Sequence, residues 1–455
     1  MANRFGRWLA LLTMANVLLV SLVLGLGGHA VPQVRGWSWE GRWVTAADRV
    51  LFLRFNRVMN LDSVAASWQS APPLPGRWQS QGQTLAYTLT QPVRYGQTYT
   101  LTLDQATDED GQTLAQPWQV QVPTPPRRWV TLAVSGEHAG QLLAVDLDVR
   151  PSSLGHESGI PKITILTSQP VQEFQAAGET VAFLAQGDLY TWRQGRIQRQ
   201  LRGDPQTILR FRLSVDGELL LAERLDPRQA GVTHLWQRSL SRWGSRWQPL
   251  EPLEGGDFLI TPDNNSLLIS QGQGLGLVPI QGSRTDITFL ARFGQALFIQ
   301  RDGTAAAMVE FLPDYQRVLW LVTNTGQQKP IFAADGSILS AVVDPVAPVI
   351  YSLVTVRDPE TLVESPVLLA IDWQTGVITE IAEATFPEEL SFALAPDGSG
   401  LIYSRMTPGG SGIPITPSGQ AVASAATFWV PLDHGEPQLP PQPLGIAGAG
   451  VGWLY

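Results

Sequence analysis

The sequence lacks cysteine, has few charged residues and shows no basic cluster after its first residues, and each absence excludes a class of protein. With no cysteine among 455 residues, disulfides, thiol nucleophiles, iron–sulfur clusters and cysteine-ligated zinc are excluded. A lipoprotein anchor is excluded too, because it needs a cysteine after the apolar segment. Charged residues make up 16% of the chain and the formal net charge is −9, so we expect no nucleic-acid partner.

Motifs for catalysis and for metal or cofactor binding are also missing. No G-x-S-x-G nucleophile motif is present, and the glycine-rich segments at 272–277 and 448–452 do not lie between a strand and a helix. The histidines are scattered, and none has the spacing of an HExxH motif or a ligand pair; they are His29, His138, His156, His234 and His434. We therefore expect no catalytic residue, no metal and no cofactor.

One long hydrophobic run is present, near the N-terminus. Arg4 and Arg7 precede the uncharged residues 8–28, WLALLTMANVLLVSLVLGLGG, enough for a transmembrane helix of ~20 residues. The arginines on the short side predict a cytoplasmic N-terminus, with the rest of the chain across the membrane. We expect residues 1–35 to be a signal anchor in a bacterial inner or thylakoid-type membrane. The alternative is cleavage near Ala30 and secretion.

The remainder predicts an all-β fold. The 43 glycines and 34 prolines indicate many turns, and the 16 tryptophans and 15 phenylalanines are ample for cores. Residues 36–122 show short alternating segments, such as TLAYTLT at 84–90 and TYTLTLD at 98–104, separated by turn signals. About 90 residues of such strands predict a β-sandwich.

Four motifs in this segment occur in a recognisable order. They are Phe55-Asn56-Arg57-Val58-Met59, then Ser63-Val64, then Pro92 to Tyr99 with Gly96 between, and finally DEDGQTL at 108–114. The order resembles the bacterial Ig-like domain of the SbsA type, with Val58 where that family usually has proline. The resemblance implies a spacer or adhesion module without catalysis. The carboxylates of DEDG also suggest a calcium site, but their spacing is not that of an EF-hand, and we expect a solvated turn.

A proline-rich linker at 123–128 marks a domain boundary, and a repeat begins after it. Two apolar runs flank a turn containing aspartate, and this unit recurs at intervals of 39 to 53 residues. Its landmarks are Asp216, Asp263, Asp302, Asp344 and Asp397. A period of ~40–50 residues of β-type sequence predicts propeller blades with four strands each. We interpret the turn residues as structural: Asp216, Gly217, Pro262, Asp263, Asp302, Gly303, Pro396, Asp397 and Gly398.

The best copies, Ala395-Pro396-Asp397-Gly398 and Thr261-Pro262-Asp263-Asn264, resemble the repeats of TolB-type (WD40-like) propellers. The resemblance covers 129–455 and implies a fold, not an activity. Segments 445–455 and 141–168 look like the two halves of one blade, so we expect the chain ends to close the ring. This gives seven blades, with six as the alternative.

Aromatic residues recur on the predicted third strands, and we interpret them first as core. Some could form the rim of a binding face; the candidates are Trp192, Trp236, Trp320 and Trp373.

Together these features predict a membrane-anchored extracytoplasmic scaffold whose propeller binds a protein, or a glycan or peptide. The alternative is a propeller enzyme, a hydrolase, lyase or quinone-dependent oxidoreductase, with its site on the axis. Carboxylates or histidines meeting at the axial funnel would favour the enzyme, whereas a neutral and apolar funnel would exclude it.

Overall fold

The structure is a computed structural model in which two compact units are described. It describes residues 8, 12–21, 31–147, 162–202, 208–226, 228–229, 231–242, 244–250, 253, 256–272, 274–281, 287–409, 416 and 419–455. The first unit comprises residues up to Val44, Asp48–Gln91 and Thr98–Pro123, and the second comprises Thr45–Ala47, Pro92–Gln97 and Thr124–Tyr455.

The N-terminal hydrophobic run is described only in part. Residues 12–21 are helical, and their large apolar side chains are exposed, from 54% for Val20 to 65% for Met14. Across the residues that the structure describes, no helix is both long and apolar enough to span a membrane. Arg4, Arg7 and the predicted cleavage region near Ala30 lie outside the described residues.

The first unit contains seven strands in its described residues: β1 (Val34–Trp37), β2 (Val50–Phe55), β3 (Trp68–Ala71), β4 (Gly76–Gln81), β5 (Thr84–Leu89), β6 (Thr98–Leu103) and β7 (Trp118–Pro123). A short helix lies at Leu61–Ser67. The strands form two antiparallel sheets, one with the order β1-β2-β5-β4 and the other with the order β3-β6-β7. Alternate residues of β2 and β6 are buried, as expected for strands with one face on a core.

An aromatic cluster joins the two sheets. The ring of Trp68 on β3 lies 5.1 Å from Trp78 and 5.2 Å from Tyr87, both on the other sheet, and 6.4 Å from Trp118 on its own sheet. Rings at these separations attract one another beyond their hydrophobic burial. The sheets therefore face each other across a tryptophan-rich core.

The DEDG loop is organised by a buried carboxylate. Asp108 is 2% exposed and accepts hydrogen bonds from the backbone N–H groups of Asp110 (3.0 Å) and Gln112 (2.8 Å), while Arg57 Nε lies 3.0 Å from its second oxygen. The prediction of a solvated turn is wrong for Asp108. Arg57 supplies its counter-charge, so the carboxylate needs no cation to neutralise it.

The second unit contains seven antiparallel sheets within the residues described, and they follow one another along the chain. Six have four strands and the last has five. The first sheet contains β8 (Arg128–Ala133), β9 (Leu142–Asp146), β10 (Lys162–Ile165) and β36 (Gly448–Leu454). The second contains β11 (Glu173–Ala177), β12 (Thr180–Ala185), β13 (Asp188–Arg193) and β14 (Arg196–Leu201), and the third β15 (Ile208–Leu213), β16 (Leu219–Leu225), β17 (Thr233–Ser239) and β18 (Gln248–Pro249). The fourth contains β19 (Phe258–Ile260), β20 (Ser266–Gln271), β21 (Gly274–Pro279) and β22 (Thr288–Leu290), and the fifth β23 (Gln295–Ile299), β24 (Ala305–Phe311), β25 (Arg317–Thr323) and β26 (Gln328–Ala334). The sixth contains β27 (Ile338–Val343), β28 (Val349–Arg357), β29 (Glu364–Asp372) and β30 (Ile378–Glu383), and the last β31 (Glu389–Leu394), β32 (Gly400–Pro408), β33 (Val422–Asp433), β34 (Glu436–Pro437) and β35 (Gln442–Pro443).

Cores form between consecutive sheets. In one of them, Tyr351 and Leu353 of β28 pack with Leu401 and Tyr403 of β32. Each sheet thus buries one face against its predecessor and the other against its successor. Sequential four-stranded sheets packed in this way are the arrangement of a β-propeller.

The ring closes within one sheet that both ends of the propeller segment share. Strand β36 pairs antiparallel with β8, Gly448 opposite Ala133 and Leu454 opposite Arg128. The prediction of two strands from each end is wrong, because β8, β9 and β10 are N-terminal and β36 alone is C-terminal. The apolar segment Trp129–Ala133, which directly follows the prolines, is a strand because it pairs with both β36 and β9.

We predict that Gly448→Ala weakens this closure. The new Cβ would lie 2.8 Å from Cγ2 and 3.0 Å from Cβ of Thr131, and overpacking of this kind costs about 1–3 kcal/mol. Urea unfolding followed by tryptophan fluorescence measures the loss. Gly272→Ala is the matched control, because no atom lies within 4 Å of its added Cβ. Equal stability of the two variants would contradict the prediction.

Candidate functional site

The predicted turn aspartates lie between the first and second strands of their sheets. Each accepts a hydrogen bond from the backbone N–H two residues ahead, at 3.0 Å for Asp216 and Asp302 and 3.1 Å for Asp263 and Asp397. The next residue has a positive φ in every case, and it is glycine or asparagine: Gly217 (71°), Asn264 (59°), Gly303 (70°) and Gly398 (68°). Pro262 and Pro396 precede two of these aspartates. The geometry is that of an Asx turn.

Asp216 and Asp397 each use the second oxygen for a distant partner: Asn264 Nδ2 donates to Asp216 Oδ2 at 2.7 Å, and the second oxygen of Asp397 is hydrogen-bonded to a segment outside the repeats. That oxygen accepts a hydrogen bond from the backbone N–H of Tyr95 at 2.7 Å, in the segment Pro92–Gln97 of the same unit. Its first oxygen accepts from Ser399 Oγ at 2.7 Å as well as from Ser399 N. The side chain is 3% exposed. Asp397 thus holds a separate segment against the innermost turns.

Tyr455 joins turns from different sheets at the same end of the inner strands. Its N–H donates to Gly178 O at 2.9 Å and its hydroxyl donates to Val215 O at 2.7 Å. The guanidinium of Arg301 lies 4.0 Å from its ring centroid and donates to its hydroxyl, and the ring of Tyr95 lies 6.0 Å away. Turns from well-separated sheets can share one tyrosine only at the axis. Tyr455 and Tyr95 therefore cover one end of the axial channel.

We predict that Asp397→Ala destabilises the propeller more than Asp302→Ala does. The first change leaves three donors without their acceptor in a buried site, at about 1–3 kcal/mol for each buried polar group left unsatisfied. Asp302 is partly exposed, so water can replace its oxygens. Chemical denaturation of the two variants measures the difference. Equal losses would show that the contact with Tyr95 does not stabilise the fold.

A polar cluster lies at the opposite end of the channel, where the inner strands begin. Arg210 and Arg212 are on β15, Asp257 directly precedes β19, and Gln295 begins β23. Arg212, Asp257 and Gln295 line a cavity of about 340 Å³ together with apolar side chains, among them Leu259, Leu297 and Leu339. Residues from several sheets thus converge on one pocket.

Arg210 and Asp257 form the centre of this network. Arg210 Nη1 lies 3.0 Å from Asp257 Oδ1, and its Nε lies 3.2 Å from Oε2 of the buried Glu223. Gln295 Nε2 donates to Asp257 Oδ2 at 2.8 Å. The carboxylates are therefore paired with an arginine and not with one another. This network is neither the meeting of carboxylates or histidines that would favour an enzyme nor the neutral and apolar funnel that would exclude one.

Two side chains of opposite charge at this end, Arg212 and Glu173, keep groups without a hydrogen-bond partner, although Arg212 also forms a long ion pair with Asp257. Arg212 Nη2 is 3.6 Å from Asp257 Oδ1, too long for a hydrogen bond, and Arg212 Nε is buried without any partner. Glu173 begins β11, two residues before the pocket residue Gln175, so it points to the same side. Within the described part of the chain its exposed carboxyl group forms neither an ion pair nor a hydrogen bond.

The environment of Glu173 raises the pKa of its carboxyl group. Removal from bulk water by surrounding protein is the largest cause, and the charges of Arg212 and Arg210 oppose it. A group whose pKa is raised on folding favours the folded state only while it stays protonated. Its contribution is complete below the pKa of the unfolded chain and disappears as the pH rises through the folded value.

We predict that Glu173→Gln stabilises the protein at neutral and alkaline pH, where wild type carries an ionised carboxylate that the raised pKa makes less favourable in the folded protein than in the unfolded chain. The gain shrinks as the pH falls below the ordinary glutamate range, because both side chains are then neutral. Thermal unfolding midpoints of the two proteins between pH 4 and 8 test this. A gain that does not vary with pH would contradict the prediction.

The candidate interface aromatics do not contribute to this pocket. Trp192 lies on β13, Trp236 on β17 and Trp320 on β25, while Trp373 directly follows β29. All four are partly buried and belong to different sheets. Trp320 is the most constrained, because its Nε1 donates to Glu310 Oε2 at 2.9 Å and Arg292 lies 4.8 Å from its ring centroid. Their role as a binding rim stays a prediction.

Histidine and carboxylate groups do not assemble into a metal centre in the described residues. His234 Nε2 lies 3.2 Å from Asp226 Oδ2, and His434 is 3.9 Å from Asp433. His29 and His156 lie outside the described residues. The charged side chains that converge are instead Glu173, Arg210, Arg212 and Asp257, none of which the sequence analysis selected.

No family model and no curated protein matches the chain. Similar solved structures include an oligogalacturonate lyase in complex with manganese (12% identity, 69% of this chain and 95% of that chain, TM-score 0.45). TolB from Acinetobacter baumannii is also similar (12% identity, 86% and 84%, TM-score 0.39), as is the dihydro-heme d1 dehydrogenase NirN in complex with DHE (15% identity, 71% and 74%, TM-score 0.44). The propeller description rests on the seven sheets and their closure.

Proposed function

We propose that this chain is a membrane-anchored extracytoplasmic binding protein whose propeller takes its ligand at the axial pocket. The observation that carries the proposal is the pairing of Arg210 with Asp257 and Glu223. Arginine stays protonated at all relevant pH values and holds these carboxylates as fixed counter-ions. Fixed charges of both signs around a cavity suit recognition, whereas proton transfer requires a carboxylate free to change its protonation state.

The N-terminal segment supports membrane attachment in this proposal. The apolar side chains of residues 12–21 are exposed in the described helix, and burial in lipid would remove them from water. Arg4 and Arg7 precede them and favour a cytoplasmic N-terminus. The propeller would then lie on the periplasmic or lumenal side.

The first unit supports a spacer role. Its strand order, β1-β2-β5-β4 with β3-β6-β7, is that of an Ig constant-type sandwich, in which strands ABED face strands CFG. It lies between the hydrophobic segment and the propeller in the chain. We infer an Ig-like module that separates the binding domain from the membrane.

An axial enzyme is the second candidate, and Glu173 is the observation that favours it. A raised carboxyl pKa suits a general acid, and Glu173 is free of arginine partners in the described structure. Glu173→Gln would then abolish turnover of a substrate. A binding protein would show no turnover in either form.

We predict that a photo-crosslinking amino acid at Leu339 captures the ligand in membranes of the native organism. Leu339 lines the pocket and is 49% exposed, whereas the control position Ile197, on the outermost strand β14, is 48% exposed. Mass spectrometry should find a discrete adduct at 339, absent at 197 and reduced when Arg212→Ala is added. The labelled protein should stay in the membrane pellet after carbonate extraction.

Identical adducts at both positions, or none at 339, would overturn the binding proposal. Release of the protein by carbonate would refute the proposed membrane anchor, but it would not bear on the proposed ligand binding at the pocket. The peptide, protein or glycan nature of the adduct identifies the class of partner.

A further inference from the structure

We propose that the axial pocket binds a zwitterionic ligand of the amino-acid or short-peptide class, with its carboxylate on Arg212 and its ammonium on Glu173. This inference rests on the proposed function and specifies its ligand. It starts from the contrast between polar groups whose hydrogen bonds are made within the protein and two side chains, Arg212 of the pocket and the neighbouring Glu173, that keep groups without a hydrogen-bond partner.

Most polar groups at the mouth of the pocket have their partners inside the protein. Asp257 uses one oxygen for Arg210 and the other for Gln295. Gln175 Oε1 accepts the backbone N–H of Leu213 at 2.7 Å. These contacts fix the neighbouring strands β11, β15, β19 and β23 around the cavity. They leave the paired groups with little capacity for a ligand.

Arg212 is the group suited to a carboxylate. Its buried Nε has no hydrogen-bond partner, and its Nη2 forms only an ion pair of 3.6 Å with Asp257, whose two oxygens already accept hydrogen bonds from Arg210 and Gln295. A guanidinium presents its N–H donors in a planar fork that matches the two oxygens of a carboxylate. A ligand carboxylate would therefore satisfy a donor that the protein leaves without an acceptor.

Glu173 is the group suited to an ammonium. It lies on the inner strand next to that of Arg212, close enough for the two arginines to affect its titration. An ammonium beside it would stabilise the ionised carboxylate and donate hydrogen bonds to it. Because Glu173 and Arg212 are not paired with each other, a ligand can insert a charge of each sign between them.

The overall charge of the pocket excludes the simpler ligands. Two arginines meet three carboxylates, Asp257, Glu223 and Glu173, so an anion without a cationic group would add to an excess of negative charge. A cation without a carboxylate would leave Arg212 Nε unsatisfied. A zwitterion meets both requirements and adds no net charge.

The shape of the pocket limits the size of the ligand and favours an aliphatic side chain. The cavity of about 340 Å³ includes Leu259, Leu297 and Leu339 in its lining and extends to Val215. Val215 belongs to the turn whose carbonyl accepts the hydroxyl of Tyr455, at the covered end of the channel. A small ligand with an apolar side chain therefore fits a pocket open at one end.

Isothermal titration of the full chain in detergent tests the ligand class with five probes. They are leucyl-leucine, leucine, 4-methylpentanoate, 3-methylbutylamine and galacturonate. We expect saturable binding of leucine or leucyl-leucine, and affinities at least ~10-fold lower for the two singly charged analogues, since hydrogen bonds to charged groups account for factors of this size.

Single substitutions test separately the contact of the ligand carboxylate with Arg212 and that of the ligand ammonium with Glu173. Arg212→Gln and Glu173→Gln should each reduce affinity for the zwitterion at least ~10-fold, and Arg196→Gln, on the exposed strand β14, should leave it unchanged. Glu173→Gln should also abolish the preference for the zwitterion over 4-methylpentanoate. If Glu173 had only a structural role, Glu173→Gln would lower the affinities for the zwitterion and for 4-methylpentanoate together, and the preference for the zwitterion would remain.

Preferential binding of galacturonate or of a singly charged probe would overturn the inference, and so would an absence of saturable binding to all five. In either case a crosslinked adduct at position 339 would still support the binding function. Failure of the crosslinking experiment alone would refute that function without reference to any zwitterion.

Discussion

The pairing of β36 with β8 is the constraint on which the rest of the propeller depends. It makes one sheet from strands more than 300 residues apart, so the seven sheets close into a ring. It also fixes the position of Tyr455, directly after β36, where turns of three other sheets contact it. Closing the ring and covering one end of the channel are thus consequences of the same pairing.

Much of the propeller could be predicted because its turns follow local chemistry. An aspartate that accepts the N–H two residues ahead, followed by glycine or asparagine at positive φ, is specified within four residues, and Asp216, Asp263, Asp302 and Asp397 all have this geometry. The closing sheet was harder to predict. The contribution of Trp129–Ala133 is decided by its pairing with a distant strand and not by its own pattern.

The axial site could not be predicted in the same way. Glu173, Arg210 and Asp257 belong to the beginnings of three inner strands, and sequence spacing does not show that a ring brings these beginnings together. The one local signal was the alternation of Arg210 and Arg212 in a strand that otherwise reads as apolar core. Two arginines on one face of an innermost strand require an aqueous or charged channel beside them. Asp397 carried no such signal, because its contact with Tyr95 crosses most of the chain.

Beside the network around Arg210, the pocket keeps groups without a hydrogen-bond partner, and these have an energetic cost. A buried donor without an acceptor and a carboxyl group with a raised pKa both reduce the stability of the unliganded protein. The paired residues Arg210, Asp257 and Gln295 hold the surrounding strands together, and in this arrangement Glu173 and Arg212 form no ion pair with each other. A bound ligand that satisfied both groups would recover the free energy lost in the empty site. Binding energy is therefore available at this end of the channel. At the other end, the backbone N–H of Tyr95 already donates to Asp397, and Arg301 already donates to the hydroxyl of Tyr455.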